Sequence, residues 1–334
     1  MPVTVVVGGQ FGGEGKGKVA HFFAKYQQAS VAVRTGGSNS GHTVVDQKGV
    51  SHIFRHLPTA CILPDVELAL GVGTYIDVDV LLSEINSIKL SEKRIHIDKN
   101  ALIITSRHKE LERQRLVGAI SSTGSGTGAA VASRIMREND VQFAKDIPEL
   151  TPYIHDDVAS FLRHSLNKKQ RVIVEGTQGF GLSVLYSPYY PCATSRDTTA
   201  GTFIAEAGVS PLDVDEIVLT LRAFPIRVGG NSGELPNEVN WADVASEAGE
   251  PALMEYTTVT KKPRRVGRFD SEIVRKAIAI NQPTKLIMNH LDYLGQGERG
   301  DRARKRFIQD VEVSLGHKID YLGMDKITLL KSLG

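Results

Sequence analysis

The run Gly8-Gly9-Gln10-Phe11-Gly12-Gly13-Glu14-Gly15-Lys16-Gly17-Lys18 concentrates glycine and lysine as a polyphosphate site requires. Glycines let backbone N–H groups close around phosphate oxygens, a following helix N-terminus adds a favourable dipole, and lysine supplies a point charge. Gly12 to Lys18 fits the loop pattern G-x-x-x-x-G-K, except that Val19 stands where a Ser or Thr hydroxyl would hold Mg²⁺. The alternative is a merely flexible glycine loop, which two lysines placed between a strand-like and a helix-like segment disfavour.

A second run, Arg34-Thr35-Gly36-Gly37-Ser38-Asn39-Ser40-Gly41-His42-Thr43, also follows a short apolar segment. His42 at its end can reach a phosphate or carbonyl oxygen as a proton donor, although a lone histidine is as often structural. The third run, Ser121-Ser122-Thr123-Gly124-Ser125-Gly126-Thr127-Gly128, offers hydroxyls and amides to a further phosphate, with Arg134 and Arg137 behind it, or else is a glycine-rich turn.

The elements that must position these runs alternate in type. Short β-branched stretches occur at Val3 to Val7, Val31 to Val33, Arg171 to Val174, Glu216 to Leu221 and Lys285 to Met288. Between them the spacing predicts helices over Lys16 to Tyr26, Val80 to Ile88, Ala129 to Arg137 and Ser271 to Ile280. This alternation predicts an α/β fold with a largely parallel central sheet, helices on both faces, and ligands at the carboxyl ends of the strands. No repeat or Pro-rich linker divides residues 1–334, which are read as one domain. Gly229 to Pro236, Lys261 to Gly267 and Gly295 to Arg306 are expected to be irregular, ligand-closing loops.

Composition narrows the function classes. Hydrophobic residues make up 41% and charged residues 23%, the balance of an ordinary globular protein. A net charge of +2 is too even for a protein whose main work is binding nucleic acid, and the Arg299 to Arg306 charge run reads as a solvated face. Cys61 and Cys192 form no C-x-x-C pair, and no run of about 18 apolar residues appears. A cytoplasmic protein with no membrane segment is expected.

The segments in order resemble the adenylosuccinate synthetases. The first loop is similar to their G-x-Q-[WF]-G-[DG]-E-G-K-G-K, and Gly36 to Thr43 to their G-G-x-N-x-G-H-T. Gly124 to Gly128, Val174-Glu175-Gly176-Thr177-Gln178-Gly179, Thr194-Ser195 through Ala200-Gly201, Arg227-Val228-Gly229 and Arg264-Arg265-Val266-Gly267 continue the likeness to about Asp292. The resemblance implies a two-step ligation. The purine 6-oxygen first attacks the γ-phosphate of a nucleoside triphosphate, and the amine of L-aspartate then displaces the phosphate.

It also implies roles. His42, Gln178 and position 13 would serve the chemistry, and Gly12, Gly13, Glu14, Gly15, Lys16, Gly17, Lys18, Gly41, His42, Thr43, Arg264, Asn289 and Asp292 the phosphoryl donor. Gly13, Asn39, Ser122, Thr123, Gln178, Thr194 and Arg227 would hold the nucleoside monophosphate, with Arg137 reaching its phosphate across a homodimer interface. Thr258, Val259, Thr260, Lys262 and Arg264 would bind aspartate, and the Gly41 backbone carbonyl would bind Mg²⁺.

Two departures matter. The family has aspartate at position 13, where it takes the N1 proton of IMP, whereas this chain has Gly13. Loss of that carboxymethyl group is expected to open room beside N1 and C2, where guanine carries an amino group. Lys262 replaces a family arginine spanning aspartate and the ribose hydroxyl, which would suit a 2′-deoxyribose, although a solvated basic loop explains it as well. Together these resemble the viral branch that ligates L-aspartate to dGMP for diaminopurine DNA and is associated with ATP, although Asp292 could still read the guanine of GTP, so the donor is ATP or GTP. The alternatives are an ordinary adenylosuccinate synthetase using IMP and GTP, and a GTPase-like binding module, since Asn289-His290-Leu291-Asp292 superficially matches N-K-x-D.

Overall fold

Val3, Val5 and Val7 of strand β1 (Val3–Gly8) pack into one hydrophobic cluster while Val6 packs into another. This is the period of two that a sheet buried on both faces imposes. The same alternation recurs in β2 (Val31–Arg34), where Val31 and Val33 face one side and Ala32 the other, and in Lys285–Asn289, where Leu286 and Met288 oppose Ile287.

These facts come from a computed structural model that describes residues 2–257 and 261–332. Its main sheet has ten strands in the order Leu329–Lys331, Tyr321–Gly323, Lys285–Asn289, Val214–Arg222, β1, Val172–Glu175, β2, Glu67–Leu70, Ile95–Asp98 and Ile154–His155. Every neighbouring pair is parallel except Leu329–Lys331 against Tyr321–Gly323. Helices cover both faces, among them α1 (Lys16–Tyr26), which buries Val19, Ala20 and Phe23 in one cluster, and Ser271–Asn281, which buries Ile273, Val274 and Ala277 in the other. Each such side chain larger than alanine contributes about 1.5 to 3 kcal/mol on burial.

The parallel arrangement puts the carboxyl ends of the strands on one edge, and there the functional runs emerge. Gly9 follows β1, Thr35 follows β2, Gly176 follows Glu175, Ala223 follows Arg222, and His290 follows Asn289. The antiparallel hairpin β3 (His42–Val45) and β4 (Ser51–Phe54) stands beside them.

Two expected loops are regular. Arg264–Gly267 is a strand pairing with Ile226–Val228 and Glu238–Val239, so only the start of Lys261 to Gly267 is irregular. Within Gly295 to Arg306, residues from Gly297 onward belong to helix Gly297–Leu315. Its glycine and charge suggested a loop, but Val311 and Leu315, four apart and buried further along, hold this long exposed helix against the core.

Candidate functional site

The phosphate loop is folded by its own carboxylate. Glu14 is fully buried; its Oε1 accepts from Gln10 N at 3.1 Å and Gly12 N at 2.8 Å, and its Oε2 pairs with Lys16 Nζ at 2.6 Å. Glu14 is therefore the brace of the loop and does not line the cavity, contrary to the expectation that it contacts the donor. Gly15 caps α1 with φ of +83°, and a Cβ there would meet Asn289 Nδ2 at 3.0 Å. That amide donates to Glu14 O at 2.7 Å, tying the loop to the strand carrying Asn289. No side chain of Gly15 caps α1, so the helix N-terminus is presented to a ligand.

The helix Thr127–Met136 is arranged differently. Glu112 accepts from Gly126 N at 2.8 Å and from Gly128 N, so an internal carboxylate takes the amides expected to bind a phosphate. Ser122 and Thr123 still line the cavity, their hydroxyls bonded within the loop to Gly124 N at 3.3 Å and Ser125 Oγ at 2.9 Å.

Gly12, Gly13, Gly15, Lys16, Gly17 and Lys18 share a cavity of about 720 Å³ with Asn39, Gly41, His42, Thr43, Ser122, Thr123, Gln178, Thr194, Arg227, Arg264, Asn289 and Asp292. Arg137 lies apart from it, exposed at the left-handed end of its helix with φ of +57° beside exposed Ile135 and Met136. Lys262 is exposed and does not line the cavity, while its backbone pairs with Thr257. Thr258, Val259 and Thr260 lie outside the described residues. Lys18 lines the cavity but donates to Asp325 O at 2.8 Å and Thr328 O at 3.4 Å, so it also anchors the C-terminal turn. Burial pushes this ammonium down to about 8, against the attraction of Asp325 and Asp292.

His42 Nδ1 lies 2.6 Å from Glu175 Oε1. Burial, helped by the Arg34 charge, presses the imidazole down to about 4 against the pull of Glu175, so near neutrality the contact is a hydrogen bond from a neutral ring. Glu175 also accepts from Arg34 Nη1 at 2.7 Å and from Thr59 N and Oγ1, each at 2.8 Å. In the sequence Glu175 is visible only as part of the Val174 to Gly179 motif. A lone carboxylate ending an apolar strand was the available signal.

Around Gly13 stands a buried network that sequence reasoning missed. Arg222 Nη1 donates to Gly13 O at 2.9 Å, and its other arm pairs with Glu255, which accepts from Tyr293 Oη at 2.9 Å. Burial alone would raise Glu255, but Arg222 and His290 hold it at about 2. The half-buried His290 ring, which lines the cavity, bonds the Gly13 backbone and is pressed down to about 3 by desolvation and the Arg222 charge. Gly13 itself has φ of +71°, and a Cβ there would lie 2.5 Å from Ile226 Cδ1. The room expected from loss of a side chain is thus filled along the Cβ direction by isoleucine.

Arg227 lies over the rings of Phe11 and Tyr189 and donates through Nη2 to Cys192 O at 2.9 Å. Its Nε and Nη1 are buried without a partner among the described residues, as in a guanidinium awaiting an anion. Burial lowers it to about 10, still charged at neutral pH.

A parallel α/β sheet with a glycine-lysine loop, an imidazole and cavity-lining guanidinium groups at its carboxyl edge defines a nucleotide-phosphate enzyme. The adenylosuccinate synthetase family model matches residues 5–145 and 138–299. Adenylosuccinate synthetase of Pyrococcus horikoshii is 38% identical over 328 residues, covering 95% of this chain and 94% of the relative, and that of Methanocaldococcus jannaschii is 39% identical over 297 residues, covering 87% and 83%. Among solved structures, cyanophage S-2L succinoaminodeoxyadenylate synthetase bound to dGMP and dATP as an energy donor aligns with TM-score 0.84 and 28% identity, covering 99% of this chain and 95% of that one. Fully ligated adenylosuccinate synthetase from Plasmodium falciparum aligns with TM-score 0.82 at 21% identity, covering 99% and 100%, and shares the fold. The chain belongs to the adenylosuccinate synthetase family and is a ligase forming a carbon–nitrogen bond.

Proposed function

We propose that the chain joins L-aspartate to dGMP with ATP as phosphoryl donor, giving 2-amino-2′-deoxy-N6-succinyladenylate for diaminopurine DNA. The observation that carries this reading is residue 13, where glycine offers no carboxylate and its carbonyl is engaged by Arg222. A purine edge there meets backbone, which tolerates a 2-amino group that a carboxymethyl group would crowd. The likeness, at 28% identity, to a cyanophage enzyme described as bound to dGMP and to dATP as an energy donor agrees with the substrate and with an adenine nucleotide as donor.

In the first step N1 releases its proton to solvent as the purine 6-oxygen takes the γ-phosphoryl group and the nucleoside diphosphate leaves; in the second the aspartate amine attacks C6, the C6–O bond breaks, phosphate departs and the amine's proton passes to solvent. Gly12, Gly13, Gly15, Lys16 and the N-terminus of α1 hold the donor phosphates, and His42 faces the transferred group. Among the described residues no cluster of three or more His, Cys, Asp or Glu side chains is placed to hold a metal ion, and Glu14 is already bonded within its loop. A Mg²⁺ fits if the phosphate oxygens supply most of its ligands with the Gly41 carbonyl, and it would neutralise charge on the transferred phosphoryl group. Arg227, Asn39, Ser122, Thr123, Gln178 and Thr194 take the monophosphate nucleotide, and Arg264 takes aspartate with the loop carrying Lys262 and residues 258–260. Arg137 completes the phosphate site of a second copy in a homodimer. No helix among the described residues is long and apolar enough to cross a membrane.

A second reading, an adenylosuccinate synthetase using IMP and GTP, is favoured by the archaeal relatives at 38–39% identity and by Asp292 in the cavity. Mass analysis of products from dGMP, GMP, IMP and dIMP, each with L-aspartate and either ATP or GTP, separates the readings. The proposal requires a succinylated product from dGMP with ATP; a product from IMP alone rejects it.

A further inference from the structure

We propose that Ile226 is a specificity-determining residue of this cavity, acting as the steric partner of Gly13. The inference rests on the dGMP reading above. Ile226 is fully buried at the start of strand Ile226–Val228, paired with Val266, and belongs to the same cluster as Phe11, Phe224 and Leu221. Its Cδ1 and Cγ1 stand 2.5 Å and 3.2 Å from the place of a Cβ on residue 13, and Arg222 Nη1 stands 3.1 Å away.

One segment therefore braces the loop from behind. Leu221 Cδ2 lies 2.5 Å from a Cβ on Gly9, Arg222 grips the Gly13 carbonyl at 2.9 Å, and Ile226 covers the Cβ direction of Gly13. The next residue, Arg227, lines the cavity. Because interiors are close-packed, Ile226 cannot retreat without displacing its neighbours. The left-handed backbone by itself does not exclude aspartate, which tolerates that region better than most residues. To that backbone strain Ile226 adds a steric barrier, its Cδ1 standing where the new side chain would begin. Ile226 thus keeps a side chain, and with it a carboxylate proton acceptor, away from position 13 and commits the purine edge to backbone contacts.

Four proteins test this: native, Gly13→Asp, Ile226→Val, which deletes Cδ1, and Gly13→Asp/Ile226→Val. Each is assayed for kcat/KM with dGMP and with IMP, and for Tm. Gly13→Asp alone should lose dGMP use without gaining IMP use and should lower Tm. The double variant should recover Tm toward that of Ile226→Val and raise IMP use at least about 10-fold over Gly13→Asp, the scale at which pocket volume discriminates. Should the double variant misfold, Gly13→Ala made in the native protein and in the Ile226→Val variant reads the same clash, its Tm loss being larger where the isoleucine is kept. A native preference for dGMP combined with equal IMP use by Gly13→Asp and the double variant overturns the role of Ile226. A native preference for IMP instead overturns the substrate reading, whatever the Tm values show.

Discussion

His42 Nδ1 and Glu175 Oε1 lie 2.6 Å apart, with Glu175 fixed from its other sides by Arg34 and Thr59. Although burial opposes ionisation, the Arg34 charge and the His42 contact hold the Glu175 carboxyl below its ordinary range, so Nδ1 carries the proton and donates. Nε2 is left as the ring's free nitrogen, and a polyphosphate beside it favours its protonation.

His42→Ala should lower kcat by about 10² to 10³ with little change in KM, because the positioned donor acts on charge developing during transfer. Glu175→Gln should lower both kcat and Tm, since it reverses the tautomer preference and leaves Arg34 buried without its counter-charge. Steady-state kinetics beside thermal melts check this; unchanged kcat in a folded His42→Ala protein returns His42 to a structural role.

Stability should depend on pH in the acid range. His42, His56 and His290 are pressed by burial to about 4, about 3 and about 3, from an ordinary 6.5. Below 6.5 the unfolded chain binds protons that the folded chain does not, so this stability is full above 6.5 and is lost as pH falls toward the folded values. Glu206, raised by burial to about 7 from 4.5, acts oppositely, its contribution being lost as pH rises through 7. Burial also lowers His21 and His108 and raises Glu84 and Asp292, so five lowered imidazoles stand against three raised carboxyls and Tm should fall between pH 6.5 and 4.5. His56→Gln, which can still accept from Asp77 N, should flatten the slope. A Tm that is constant or rises toward pH 4.5 contradicts neutral burial of these rings.

The two loop lysines should separate. Gly15→Val should abolish donor binding, since φ of +83° and Asn289 Nδ2 at 3.0 Å leave no place for a branched side chain. Lys16→Ala should weaken donor binding and loosen the loop through Glu14. Lys18→Ala should also destabilise the fold, by about 1 to 3 kcal/mol, as the carbonyls of Asp325 and Thr328 lose their donor. Calorimetric titration with ATP and denaturant melts distinguish these effects. Gly15→Val with native donor affinity would remove the phosphate loop from this site.

The dimer proposal has a complementation test. Arg137→Ala and His42→Ala should each be inactive alone, and mixing with subunit exchange should restore about a quarter of native activity if each site draws Arg137 from the partner. No recovery in a mixture shown to contain heterodimers rejects a shared site.

The legible parts of this molecule were those written in local spacing. The limits Lys16 to Tyr26 of α1 and the strand cores at Val3, Val31 and Lys285 follow from apolar periodicity and are found in place. What escaped was set by tertiary contact. Glu112 taking the Gly126 and Gly128 amides, and Arg222 and Glu255 meeting at Gly13, join segments up to 209 residues apart, and no spacing rule connects them. Ile226 gave no signal at all, because an apolar residue before Arg227 reads as ordinary core.

The most direct test of the central claim is the ratio of kcat/KM for dGMP to that for IMP, measured as L-aspartate-dependent phosphate release with saturating ATP and Mg²⁺. If the site pairs the 2-amino group, the ratio should exceed about 200, beyond what volume alone supplies. A ratio of one or less would contradict the account and assign the chain to IMP.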